Sequence, residues 1–289
     1  MPNAVEPASA APSSLSDALT LLARDDGPAW QPLAGGTDLL VQIAGEIGAA
    51  PDRVLDLWAI DELRGIDLTD GTLRIGALTT YTDLRQSPFL VDHVPALVAA
   101  AATVGAAQIQ NRGTIGGNVM NASPAGDTLP VLLALGATMI LASTRGERRV
   151  AADDFWPSYR TTARRPDELL VGIELPLVPG RQARFRKIGT RRAQAISKVV
   201  MALAWTESDR GGWTGVRLAL GSMAATTVRA PGTEAVLEGA RPTRETADAA
   251  AAALVDEVRP IDDVRSTADY RRMVAGRVLH RLVRDEGGW

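Results

Sequence analysis

Two glycine pairs are the residues in this chain best suited to receive an anion. In Ala34-Gly35-Gly36-Thr37-Asp38 the glycines permit a tight turn with positive φ, and successive backbone N–H groups can converge on negative charge. A helix starting near Asp38 would add its own positive end. Thr114-Ile115-Gly116-Gly117-Asn118 offers the same chemistry a second time. One Gly-Gly is ordinarily only a turn. Two such loops, each flanked by Thr and by Asn or Asp, have the means to grip the two phosphates of a diphosphate from opposite sides. Asp127, in Asn121-Ala-Ser-Pro-Ala-Gly-Asp127, supplies a carboxylate suited to ribose hydroxyls, which are donors seeking an acceptor. Taken alone, Asp127 reads rather as a helix N-cap ahead of Thr128-Leu129-Pro130.

What is missing narrows the chemistry further. There is no Gly-x-x-x-x-Gly-Lys-Ser/Thr loop, no Gly-x-Gly-x-x-Gly and no Gly-x-Ser-x-Gly elbow. The two histidines, His93 and His280, lie far apart without a metal-ligand motif and read as helix-surface residues. No tight acidic constellation appears. The chain has no cysteine, which excludes a disulfide framework, a thiolate zinc site, a cysteine nucleophile and a Cys-ligated iron–sulfur cluster within it. Lys plus Arg number 31 against 34 Asp plus Glu, a net charge of −3, so a polyanion gains little counterion release here and nucleic-acid binding is set aside.

The elements that must hold these residues follow from the apolar pattern. Met1–Ser14 is rich in Pro, Ala and Ser, without the basic start and apolar core of a secretory signal, and reads as a disordered tail over 1–14. Ser14 or Ser16 caps a helix carrying Leu15, Leu19 and Leu22. A strand at Gln31–Leu33 enters the first glycine turn, and helical character follows from Asp38 to Ile43. Strands are expected at Arg53–Leu57, at Leu73–Ala77 after the turn pair Asp70-Gly71, at Ala137–Ala142 and at Glu168–Leu175. Ala96–Val104 reads as a buried helix, Asn111–Asn118 as the second glycine loop, and Thr128–Ala134 as a helix with Pro130 in its first turn. Pro176, Pro179 and Gly180 punctuate the chain and place a boundary at about 176–183. Three strands (Arg184–Ile188, Val199–Thr206, Val216–Leu220) and three helices (Pro231–Glu238, Glu245–Val258, Thr267–Val283) complete an α+β chain. Val131–Ala142, the longest apolar stretch, is too short to span a bilayer, so a cytoplasmic protein is expected.

Ala34-Gly-Gly-Thr-Asp-Leu-Leu40 and Thr114-Ile-Gly-Gly-Asn118, followed by Ala-Ser-Pro-x-x-Asp127, resemble the FAD-binding medium subunit of the molybdenum hydroxylases, the xanthine dehydrogenase and carbon monoxide dehydrogenase family. Glu168-Leu-Leu-Val-Gly-Ile-Glu-Leu-Pro176, Phe185-Arg-Lys187 and Val216-Arg-Leu-Ala-Leu-Gly221 resemble its later segments, in order, so the match runs from about Leu15 to Arg284. The resemblance implies a vanillyl-alcohol-oxidase-like (PCMH-type) FAD-binding domain of two α+β subdomains over 15–177. A small α+β domain of the CO-dehydrogenase-flavoprotein type would follow over 182–289. It implies that Leu33, Ala34, Gly35, Gly36, Thr37 and Asp38, with Thr114, Ile115, Gly116, Gly117 and Asn118, hold the FAD diphosphate, and that Asp127 meets the ribose. Val104, Gly105, Leu169, Leu170 and Lys187 would line the flavin cleft. Apart from the resemblance, Leu169 and Leu170 are core residues by default, and Lys187 lies in a basic run, Arg184–Arg192, that reads as a solvated strand edge.

The same resemblance implies partners: a large subunit with a molybdenum cofactor and a small subunit with two [2Fe–2S] clusters, in a heterotrimer or its dimer. Electrons would enter the flavin from a cluster and leave to NAD or another acceptor. Thr37-Asp38 and Ile115 depart from the His-Ser and Val versions associated with carbon monoxide dehydrogenases, which tilts the expected substrate toward purines, other N-heterocycles or aldehydes. The alternatives are a carbon monoxide dehydrogenase medium subunit, a stand-alone FAD-dependent oxidase, and a nucleotide-binding protein without redox activity. A stand-alone oxidase often tethers its flavin through His or Cys, and neither glycine loop contains one.

Overall fold

The computed structural model describes residues 7–44, 50–191 and 194–289. A small parallel sheet comes first: β1 (Ala8–Ala10), β2 (Trp30–Leu33) and β3 (Arg53–Asp56), in the order β1-β3-β2. Parallel neighbours need crossovers. Helix α1 (Leu15–Leu22), capped by Ser14, joins β1 to β2 and buries Ala18, Leu19 and Leu22, while α2 (Leu39–Ala44) lies between β2 and β3. The strand at Ala8–Ala10 corrects the expected tail: ordered structure begins before residue 14, and residues 1–6 lie outside the described ones. Its pairing with Arg53–Leu55 is a backbone interaction, and an Ala-Ser-Ala strand carries no apolar alternation by which to read it.

An antiparallel five-stranded sheet follows, in the order β4-β5-β8-β6-β7. Its strands are β4 (Ile66–Thr69), β5 (Thr72–Gly76), β6 (Thr138–Ser143), β7 (Gly146–Ala151) and β8 (Leu169–Pro176). Asp70 and Gly71 both take positive φ, 49° and 73°, in the two-residue hairpin between β4 and β5. Between β5 and β6 the chain runs through six short helices: α3 (Tyr81–Gln86), α4 (Pro88–His93), α5 (Pro95–Ala101), α6 (Ala107–Arg112), α7 (Ile115–Asn121) and α8 (Leu129–Ala134). They bury Leu84, Leu97, Val119 and Leu132 against Leu73, Ile173 and Met139 of the sheet. A further short helix, α9 (Ala152–Phe155), follows β7.

The last sheet is antiparallel in the order β12-β11-β10-β9, built from β9 (Arg181–Ile188), β10 (Val199–Glu207), β11 (Trp213–Gly221) and β12 (Val228–Arg229). Strand β10 shows how it is held. Val199, Met201, Leu203 and Trp205 point into a core shared with α10 (Pro231–Leu237), α11 (Arg244–Glu257) and α12 (Ala268–Gly287). Val200, Ala202 and Ala204 point the other way, into the core of α5 and α8. A strand buried on both faces reads as an unbroken apolar run, and Val-Val-Met-Ala-Leu-Ala-Trp is one. Among the described residues no helix is long and apolar enough to cross a membrane.

Candidate functional site

The first glycine segment turns from β2 into α2. A Cβ on Gly35 would stand 1.8 Å from the carbonyl oxygen of Arg112, so only glycine lets this turn press against the end of α6. Gly36 sits at φ 75°, the left-handed region glycine occupies without strain. Among the described residues the N–H groups of Gly36, Thr37 and Asp38 donate to no protein acceptor, which leaves three donors on one turn.

The second glycine segment is not a loop. Thr114 caps α7 by accepting from Gly117 N at 3.0 Å, and Gly116 and Gly117 are helical. The Ile115 N–H donates to Thr79 O at 3.0 Å and the Gly116 N–H to Ala77 O at 2.9 Å. No open N–H therefore remains in the first turn of α7, and the expectation of a second anion cradle is corrected. The glycines serve close approach instead: a Cβ on Gly116 would meet Ala77 O at 2.5 Å, and one on Gly117 would reach 4.0 Å from Ala34 Cβ. The two segments thus meet in space, as expected, but the first presents donors and the second a bare wall. Asn118 adds its side chain, with Oδ1 fixed by the Thr128 hydroxyl at 2.6 Å.

Asp127 does not cap a helix, since Thr128 holds the N-cap position of α8. Its side chain is 6% exposed and pairs with Lys187 Nζ at 2.5 Å, while the Thr103 hydroxyl donates to the same Oδ2 at 3.1 Å. The other oxygen, Oδ1, is buried with no partner, an open acceptor that asks for a donor. Burial pushes the Asp127 carboxyl above its ordinary range, and the Lys187 ammonium opposes that shift. Lys187 is therefore no solvated strand edge: β9 delivers it to the cleft, where Thr103 O also accepts from it at 3.1 Å. Arg184 and Arg186 of the same run pair with Glu286 and Asp285, and Arg192 lies outside the described residues. The loop before Asp127 is gripped by the last sheet, through Ser222 N to Pro124 O at 2.7 Å and Ser197 Oγ to Ala125 O at 3.2 Å.

These groups surround one cleft of about 820 Å³, within the range of small-molecule and cofactor sites. Every residue expected at the site lines it except Ile115, which is 0% exposed because the first position of α7 turns its side chain into the core. Gln110 fixes the Val104–Gly105 turn by donating to the carbonyls of Ala102 and Val104 at 3.3 and 3.0 Å. Leu169 and Leu170 begin β8 at the cleft wall. Sequence reasoning missed Tyr81, Asn121, Tyr159, Arg160 and Arg265, which also line the cleft. Asn121 was within reach, three positions beyond Asn118 on the same helix. It donates to Asp38 Oδ1 at 3.0 Å and accepts from Arg160 at 2.7 Å. Burial pushes the Asp38 carboxyl up, opposed by the Arg160 charge and the Asn121 hydrogen bond. No histidine or cysteine lines the cleft, and among the described residues no cluster fit for a metal ion occurs. The arrangement is built to hold an extended, polar, anionic molecule rather than to attack one.

Comparison with known proteins gives the same picture. Residues 5–178 match the model for the FAD binding domain in molybdopterin dehydrogenase, and residues 184–285 match that for the CO dehydrogenase flavoprotein C-terminal domain. The chain is 34% identical over 289 residues to the nicotinate dehydrogenase FAD-subunit of Eubacterium barkeri, covering 96% of this chain and 97% of that one. It is 33% identical over 287 residues to the xanthine dehydrogenase FAD-binding subunit of Escherichia coli O157:H7, covering 96% of each. Among solved structures, carbon monoxide dehydrogenase from Hydrogenophaga pseudoflava superimposes with a TM-score of 0.90 at 32% identity, covering 96% of both chains.

Proposed function

The chain belongs to the FAD-binding medium subunits of the molybdenum hydroxylase family, and from that premise we propose that it is the flavin-bearing electron-transfer subunit of a cytoplasmic three-part oxidoreductase. It accepts electrons from the [2Fe–2S] clusters of a small partner subunit and passes them to NAD or another acceptor. A large partner subunit, with the molybdenum cofactor, oxidises the substrate. With no cysteine, this chain leaves cluster ligation to a partner. A purine, another N-heterocycle or an aldehyde is the substrate class we favour, in keeping with relatives named for nicotinate and xanthine.

The residues present fit FAD. The buried, unpartnered Oδ1 of Asp127 is the observation that carries the reading, because an acceptor in that state suits a ribose hydroxyl. The open N–H groups of Gly36, Thr37 and Asp38 suit a diphosphate. Val104, Gly105, Leu169 and Leu170 would face the apolar part of the cofactor. When bound, the isoalloxazine supplies the redox chemistry. The chain's own residues orient the cofactor and exclude water. Lys187 brings its amino group to the cleft, and Asp127 holds it in place.

The test is an absorption spectrum of the chain expressed alone, then mixed with excess FAD and desalted. Flavin bands released as FAD rather than FMN on denaturation support the reading. A folded chain that stays colourless, even when co-expressed with cluster-bearing and molybdenum-bearing partners, overturns it.

A further inference from the structure

Four cations line the cleft among the described residues: Arg160, Arg164, Lys187 and Arg265. Three are committed within the protein. Lys187 pairs with Asp127 and Arg265 with Asp263, while Arg164 Nη1 is shared by the carbonyls of Arg165, Pro166 and Glu168. Arg160 differs. Among the described residues no carboxylate forms an ion pair with it. Its acceptors are neutral, Asn121 Oδ1 at 2.7 Å from Nη1 and the Tyr159 hydroxyl at 3.3 Å from Nε, and Nη2 donates to no group among the described residues.

The backbone holds Arg160 in place at some expense. Its φ is 51°, a conformation L-residues rarely adopt, inside a turn closed by the bridge between Ser158 and Thr161. From that turn the guanidinium reaches α7 at Asn121, whose amide bonds on to Asp38 beside the open N–H groups. The Asp38 carboxylate attracts Arg160 without forming an ion pair with it, and a strained turn that aims so weakly compensated a cation at a cleft is better explained by an anion there than by support of the fold. A diphosphate at the Gly36–Asp38 turn would lie next to the Asp38 carboxylate, and dipoles alone offset such repulsion poorly.

We propose that Arg160 is the cationic contact for the diphosphate of the bound dinucleotide, held over the cleft by Asn121 opposite the Gly36–Asp38 turn. The assignment rests on the FAD reading above. Guanidinium N–H groups suit phosphate oxygens, and among the described residues Nη2 keeps its N–H groups free to donate to them.

The experiment titrates the full-length wild-type chain, Arg160→Gln and Arg160→Lys with FAD, following flavin fluorescence at low and high salt, with melting curves as the folding control. Arg160→Gln is expected to weaken FAD binding roughly ten- to a hundredfold, the worth of one charge-assisted hydrogen bond. It should also flatten the salt dependence, and Arg160→Lys should regain part of both. An unchanged dissociation constant in Arg160→Gln overturns the proposal. So does weakened binding with the full salt dependence retained and no recovery by lysine, which makes the residue a strut for Asn121. A wild-type chain that takes up no FAD overturns the flavin reading and this assignment together, whereas binding in wild type with indifference to Arg160 defeats this assignment alone.

Discussion

Replacing Gly35 by alanine tests the contact that brings the two glycine segments together. The added Cβ would lie 1.8 Å from Arg112 O and 2.5 Å from its carbonyl carbon, where real Cβ atoms keep at least 3.0 Å. Both clashing atoms are backbone, so no side chain can rotate away and the turn itself must withdraw from α6. The N–H groups of Gly36, Thr37 and Asp38 move with it. Hydrogen bonds to a charged acceptor contribute about 1.5–3 kcal/mol each, so misplacing two of them costs roughly 3–6 kcal/mol of FAD binding, two to four orders of magnitude in affinity. The turn lies outside the buried cores, so the melting temperature of the apoprotein should fall by only a few degrees. Gly71→Ala is the control: its φ of 73° is equally unsuited to alanine, but nothing lies within 4 Å and the cleft is elsewhere. It should lose about 1–2 kcal/mol of stability and keep its flavin. FAD titration of all three chains decides the matter. Wild-type affinity in Gly35→Ala would refute the reasoning, because the turn would then hold its cofactor without its seat on α6.

Three other outcomes follow from the same structure. Burial raises the Asp38 carboxyl in the folded chain, so its ionisation opposes folding at neutral pH and ceases to do so in acid, below the ordinary value near 3.8. Asp38→Asn should therefore melt higher than wild type in the apo form at pH 7 and no higher well below pH 4; a lower melting point at pH 7 contradicts this. Glu168, 2% exposed, accepts from Arg148 at 2.7 and 2.8 Å and is held below its ordinary range chiefly by that hydrogen bond, so its stabilisation is present above 4.5 and lost as pH falls through the lowered value. Glu168→Gln should lose about 1–2 kcal/mol at neutral pH, Arg148 being a third exposed, and converge on wild type in acid; a pH-independent loss measured by denaturant titration would argue against the ion pair. Leu203→Ala on one face of β10 and Ala202→Asp on the other should lower the same single unfolding transition, the first by about 2–5 kcal/mol, whereas calorimetry resolving two independent transitions would separate the cores that β10 is said to join.

Much of this was legible in the sequence because burial writes itself as pattern. Strands β6, β8 and β10 are apolar runs, and the hairpin at Asp70-Gly71 declares its turn type. Strand β1 leaves no such mark, since Ala-Ser-Ala pairs through its backbone. The second glycine pair was misread for an instructive reason: Gly-Gly signals either a turn or a close approach, and only the position of Ala77 O tells which. Ile115 shares its motif with true cleft residues, yet one helical step turns it into the core. Asp127 and Lys187 were each placed at the cleft by resemblance, but their pairing and the part of Thr103 were not read, because Thr103 and Lys187 lie 24 and 60 residues from Asp127. Arg160 had no signal at all, as a left-handed φ at arginine is imposed by the surrounding fold.

The pairing of Asp127 with Lys187 also orders events in time. During synthesis the acceptor emerges first and its counterion 60 residues later, a delay of roughly 3–12 s at the usual 5–20 residues per second. Ser222, which grips the loop before Asp127, arrives later still, and β10 has to appear before α8 can be covered. A nascent chain halted near residue 178 would therefore expose an uncovered helix and a carboxylate without its ammonium. The cleft gains the Asp127–Lys187 pair and the grip of Ser222 only after β9 to β11 have emerged, so a cofactor that depends on them is expected to load after that point rather than on the first 178 residues alone.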